Sequence, residues 1–229
     1  MDNSANNKFQ VTKGSAVLRL REILMDSDGL LTLVKLNFFF IITTIPVLPF
    51  IILFTGGGAI TALLYCTNQL VRTGSVSQVR KTYFDVFKKY FKRTFLPGLV
   101  VTLLTFVFTA GLIIYLTLAS SNVMYIPFAS VSLLVLIFIC SIAIHLFPAF
   151  TESRNETKST KELLSVAIST VFEKMKKTVI AVIVSIFTIA GIFLMLPKTL
   201  PLMLVIMFSV PGLAAGFAHS DAEFISDII

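Results

Sequence analysis

The chain has no tryptophan, only two cysteines and two histidines, and charge on just 14% of its 229 residues. Each shortage excludes something. Cys66 and Cys140 both lie in apolar runs without CxxC spacing. They read as small buried hydrophobes rather than a disulfide or a thiolate metal pair. His145 and His219 show neither HxxxH nor HExxH spacing, so no metal site is expected. Without Trp, an aromatic belt must rest on 5 Tyr and 22 Phe. The first 29 residues lack an apolar h-region, so a cleavable signal peptide is not expected. The triple glycine at Gly56–Gly58 lacks the GK[ST] ending of a phosphate loop, and "DSDG" at Asp26–Gly29 is too short for a calcium loop. No GxSxG or Cys/His pair marks a nucleophile. The expectation is a protein without catalytic residues, metal or cofactor.

What is present is apolar. The hydrophobic share is 56%, against about 45–50% in a soluble domain, and it is gathered into runs. A bilayer core of ~30 Å takes about 20 helical residues. Five runs approach or exceed that length: Leu36–Leu53, Leu96–Ala119, Ile126–Phe147, Val179–Leu196 and Leu200–Ala218. A sixth segment, Ala59–Val71, starts apolar and turns polar at Asn68 and Gln69. It reads as a half-helix, or as a full one if the chain before it joins on.

The net charge of +7 suits the basic inner face of a membrane protein rather than nucleic-acid binding. Lys and Arg number five before the first run, seven in Arg72–Arg93, none in Ser120–Tyr125, six in Arg154–Lys177 and one at Lys198. If residues 36–71 crossed once, the sides would hold 13 and six; if they turn back, the split is 18 to one. The positive-inside bias selects the second arrangement. We therefore expect an all-α, polytopic membrane protein of about six passes in the cell membrane, the second pass short or broken, with both termini cytoplasmic. The breakers Pro46, Pro49, Gly56, Gly57 and Gly58 permit the reversal. Either the Pro46–Pro49 pair or the glycine run is its apex.

The single domain then divides into a cytoplasmic segment 1–29, a broken hairpin 36–71, a basic amphipathic helix 77–95, a hairpin 96–147, an amphipathic segment 159–177, a hairpin 178–218 and an acidic tail 219–229. In "SQVRKTYFDVFKKYFKRTF" the aromatic and Val positions take one half of a helical wheel. Lys81, Lys88, Lys89, Lys92 and Arg93 supply the basic surface. Such a helix is expected in the membrane interface, or as a docking face for a partner. Leu164, Ile168, Val171 and Met175 suggest a weaker counterpart, with Ser159 and Glu162 as its capping box.

Inside the spans, His145 is the one ionisable side chain and stands near Pro148. An ionisable group there is a functional candidate by default; the plain alternative is a neutral imidazole bonded to a neighbouring helix. Asn37 is expected to bond an adjacent helix, and Gly212 with Gly216 to permit close helix packing.

"LVKLNFFFIITTIPV", "TGGGAITALLY" and "LVRTGSVSQVRKTYFDVFKKYFKRTF" resemble the YesL-like family of bacterial integral membrane proteins. Asn37, Pro46, Thr55, Gly58, Ala59, Ala62 and Tyr65 match its pattern, and "HLFPAF" at His145–Phe150 is similar to its later Phe–Pro motif. Several extra residues between Pro46 and Thr55 depart from it. The resemblance implies a membrane protein of no established activity, from a family whose members are often encoded near carbohydrate-uptake systems. The expectation is a non-enzymatic accessory or regulatory component whose partners are the lipid bilayer and another membrane protein or transporter subunit. A small transporter for a neutral solute ranks second and a membrane-embedded enzyme third.

Overall fold

A computed structural model of the chain describes residues 16–44, 51–194, 198 and 205–219. Pro46 and Pro49, the segment 197–204 except Lys198, and the tail after His219 lie outside the described residues. Eight α-helices are described: α1 (Ala16–Met25), α2 (Ser27–Thr44), α3 (Ile51–Thr73), α4 (Val79–Ala119), α5 (Ile126–Ala149), α6 (Thr160–Glu173), α7 (Met175–Leu194) and α8 (Ser209–His219). Short 3₁₀ turns occupy Val123–Tyr125 and Ser153–Asn155. No strand occurs among the described residues. Helices Ser27–Thr44 and Val79–Ala119, the stretch Val123–Ala149, and Met175–Ile192 are long and apolar enough to cross a membrane. The fold is that of an all-α membrane protein.

Helix α2 begins at Ser27, nine residues before the expected run Leu36–Leu53, and two further boundaries differ from the sequence reading. The surface helix 77–95 and the span from Leu96 are one helix, α4, of 41 residues, about 61 Å long at 1.5 Å per residue. Pro97 lies inside it without ending it. The apolar face of its first half does not turn to acyl chains: Val79, Tyr83, Val86, Tyr90 and Thr94 are buried, packed with α2 and α3 in one core. Protein covers the stripe that a lipid interface was expected to cover. The second half behaves as a span should, with Leu103, Phe106, Ile113 and Leu116 exposed for lipid.

The second boundary concerns the glycines. α3 runs helically through Gly56, Gly57 and Gly58, so the glycine run is not the reversal. These residues instead let two backbones approach. A Cβ on Gly57 would run into the Thr94 carbonyl and Gly98 Cα of α4. Gly56 faces Thr102, and Gly58 faces Phe87 and Phe91. Because rising numbers in α3 meet falling numbers in α4, the helices are antiparallel. α3 begins five residues before Gly56, about 8 Å, whereas α4 continues 17 residues, about 26 Å, past Thr102. The α3–α4 pairing therefore covers only part of α4.

Beyond this contact α4 pairs with α5: Tyr115 stacks on Phe128 with ring centroids 5.5 Å apart, and Gly111 faces Ser132. α8 lies parallel to α3, since Gly212 meets Leu63 and Thr67 while Gly216 meets Thr67 and Asn68. The α8 start is held by Asn37 of α2, whose Oδ1 accepts from the Phe208 and Ser209 amides at 2.7 and 3.3 Å. That contact is an interhelical bond of the kind expected for Asn37, made to backbone donors at a helix start.

Candidate functional site

The contacts gather the charged segments at one end of the bundle. Lys89 Nζ lies 3.3 Å from Glu156 Oε1. Arg93 Nη2 donates to the Asn155 and Lys158 carbonyls at 2.8 and 2.7 Å, and its guanidinium stands over the Phe150 ring. The basic half of α4 is thus fixed to the α5–α6 connection. At the other flank, Asp28 and Lys35 of α2 line one cleft together with Arg80, Lys81 and Lys88. The loop Ser120–Tyr125, without Lys or Arg, terminates the opposite end of α4.

Five residues were candidates for surface or partner docking. Lys81, Lys88, Lys89 and Lys92 are exposed, whereas Arg93 is half-buried. Arg93 is occupied by the two carbonyls it bonds, and Lys89 by Glu156. Lys81, Lys88 and Lys92 follow one another at helical spacing on the outer surface. α6 is capped as expected: Ser159 Oγ accepts from the Glu162 amide at 3.3 Å, and the Glu162 carboxylate from the Ser159 amide at 2.9 Å. Its buried face is Leu163, Ala167 and Val171, one position away from the Leu164–Ile168 stripe read in the sequence. Leu164 and Met175 are exposed. The tighter face fits the pocket around Phe150, Leu146 and Ala149.

The same end holds a polar cluster whose two histidines lie 74 positions apart in the chain. His145 near the end of α5 and His219 at the end of α8 bring their Nδ1 atoms to 3.5 Å, with ring centroids 5.7 Å apart. His145 Nε2 lies 2.7 Å from Thr178 Oγ1 of α7. His219 Nε2 lies 3.1 Å from Glu152 Oε1. Asn155 Nδ2 donates to Glu152 Oε2 at 2.9 Å, and Lys174 Nζ to the His219 carbonyl at 3.1 Å. Thr178, His145 and Asn155 are each 1% exposed, so these bonds form where an unmet polar group costs most. Pro148 is buried one turn on, and its carbonyl accepts from the Thr151 amide and hydroxyl at 2.9 and 2.7 Å. It shapes the chain that leads to Glu152.

This arrangement is a hydrogen-bonded chain, Thr178–His145–His219–Glu152. A carboxylate only accepts and a neutral imidazole has one donor and one acceptor, so the chain has one direction. His219 Nε2 donates to Glu152, His145 Nδ1 to His219 Nδ1, and the Thr178 hydroxyl to His145 Nε2. The Thr178 hydroxyl, which also lies 3.0 Å from the Lys174 carbonyl, is the donor that begins the chain. The chain borders a cleft of about 660 Å³ between α3, α5, α6 and α8, with Asn68, Gln69, Arg72 and Glu173 on its walls. Among the described residues, Asn68 Oδ1 and Gln69 Oε1 are buried without a hydrogen-bond partner. Among the described residues no group of three His, Cys, Asp or Glu side chains is placed to hold a metal.

No curated protein and no solved structure is significantly similar to the chain. Residues 33–116, which run from α2 through the basic half of α4 into its apolar half, match the family described as "Protein of unknown function, DUF624".

Proposed function

We propose that the protein is a non-enzymatic accessory or regulatory membrane component, one that engages another membrane protein or transporter subunit through the basic end of its bundle. The observation that carries this reading is the length of α4. At 41 residues and about 61 Å, it is twice the ~30 Å hydrocarbon core. Its first half carries the basic residues on one face and has its apolar face covered by α2 and α3. What remains for a partner is a rigid row of Lys81, Lys88 and Lys92, which suits an acidic surface. In this reading the basic end and both termini are cytoplasmic in the cell membrane, and residues 27–219 make six passes. Carbohydrate-uptake systems are the first place to seek the partner, through the family resemblance alone.

The test is purification in mild detergent from cells that express the tagged chain. A partner membrane protein is expected to co-purify in constant ratio, and Lys88→Glu with Lys92→Glu to release it. Uptake of a neutral solute by the purified chain alone in liposomes would favour a transporter instead. The helical, closely packed Gly56–Gly58 weighs against that alternative, because helices broken near the midplane are one of the hints that point to a transporter.

A further inference from the structure

The sequence puts Lys35 in one basic cluster and Arg80, Lys81 and Lys88 in another, yet all four line one cleft. It measures about 1120 Å³ and lies between α2, the 74–78 connection and the first turns of α4. Asp28 is the single carboxylate on its walls. Among the described residues none of the four cations has an ion-pair partner, so four cations against one carboxylate leave the cleft net positive. Its floor is apolar, made by Leu31, Phe39 and Phe84. Leu30, Leu31, Phe38 and Ile42 are exposed along α2, the helix that supplies Lys35. A basic wall therefore meets a greasy outer surface in the same cleft. The backbone adds to the positive field. Gln78 precedes α4 in the left-handed region at φ 48°, and the helix begins without a capping side chain or an acid in its first turn, leaving its positive end unscreened.

We propose that this cleft holds one anionic phospholipid, its phosphate between Lys35 and Arg80 and its acyl chain along Leu31, Phe39 and Phe84. Lysine and arginine supply charge-assisted bonds to phosphate oxygens, arginine in a two-pronged geometry. The exposed side chains of α2 continue the apolar track that an acyl chain requires. A zwitterionic lipid brings its own cation into a site that already has four, so the cleft discriminates by charge. A soluble phosphate ester matches the wall and leaves the floor bare.

The measurement is native mass spectrometry of the full chain released from detergent, with phosphatidylglycerol, phosphatidylcholine or glycerol 3-phosphate added in turn. One phosphatidylglycerol is expected to stay bound at least tenfold more than phosphatidylcholine or glycerol 3-phosphate. Lys35→Gln with Arg80→Gln removes that preference while the melting temperature stays within a few degrees. Lys92→Glu, outside the cleft, leaves lipid retention intact even where it releases a protein partner, so the two readings fail separately. Equal retention of both lipids, glycerol 3-phosphate bound as tightly as the lipid, or an unchanged preference in the folded glutamine variant would each overturn the proposal.

Discussion

Gly57 of α3 and Gly98 of α4 face each other so closely that a Cβ on either one would run into the backbone of the other. Backbone cannot yield as a flexible side chain can, so an added methyl must separate the helices. Gly57→Ala is expected to cost about 1–3 kcal/mol, the range for overpacking. Gly191→Ala in α7 meets nothing within 4 Å and gains helix propensity. Thermal melting in detergent should separate the two, with Gly57→Ala lowered and Gly191→Ala unchanged or raised. Equal effects would remove the close approach as the role of the glycine run.

Arg93 and Lys89 belong to one basic cluster but differ in what they hold. Arg93 bonds two backbone carbonyls from a half-buried position and covers Phe150, which is fully buried. Arg93→Ala is expected to cost about 1.5–3 kcal/mol, as for hydrogen bonds from a charged group. Lys89 and Glu156 are more than half exposed, and surface pairs contribute little. Lys89→Ala should therefore leave melting unchanged. A larger loss at Lys89 than at Arg93 would contradict this division.

The His145–His219 chain ties α5, α7, α8 and the α5–α6 connection together, and Thr178 is its buried end. Thr178→Val keeps the shape and removes the hydroxyl, leaving His145 Nε2 unmet at a site 1% exposed. The expected loss is about 1–3 kcal/mol. The histidine ring signals in ¹⁵N NMR should move together in the Thr178 variant, because the two rings share one hydrogen-bonded chain. A shift confined to His145 would show that the 3.5 Å contact between the Nδ1 atoms does not couple them.

Much of this architecture was legible in residue order. Apolar runs located α5 and α7, and the Ser159–Glu162 box located the start of α6 through local geometry alone, whereas the run Leu36–Leu53 meets only the second half of α2 and the first residues of α3. What was not legible depends on distant residues. Nothing local shows that α4 continues through Pro97; continuity needs α3 beside it, with glycines that let the backbones meet. Apolar residues around Tyr83 carry the same pattern whether lipid or α2 and α3 cover them, so amphipathicity alone pointed to the wrong cover. His145 stood out as a polar residue in a span, but its partner lies 74 positions away. Arg93 was read as surface charge because a carbonyl acceptor leaves no trace in the sequence.

The six-pass arrangement expected from the charge distribution makes a separate prediction about sides. Ser75 and Ser121 are both exposed, one at the basic end and one in the loop after α4. Cysteines placed at these positions in a Cys66→Ser, Cys140→Ser background should react with an impermeant thiol reagent from opposite sides of the membrane. Labelling of both from the same side would rule out the six-pass arrangement.

The most direct test of the accessory reading is a photo-crosslinking amino acid at position 92, in cells at native expression level. The expected result is one protein adduct with another membrane protein, diminished when Lys81→Glu and Lys88→Glu are added elsewhere in the row. Crosslinks to lipid alone, with no protein adduct from positions 81, 88 or 92, would contradict a docking role for the basic end.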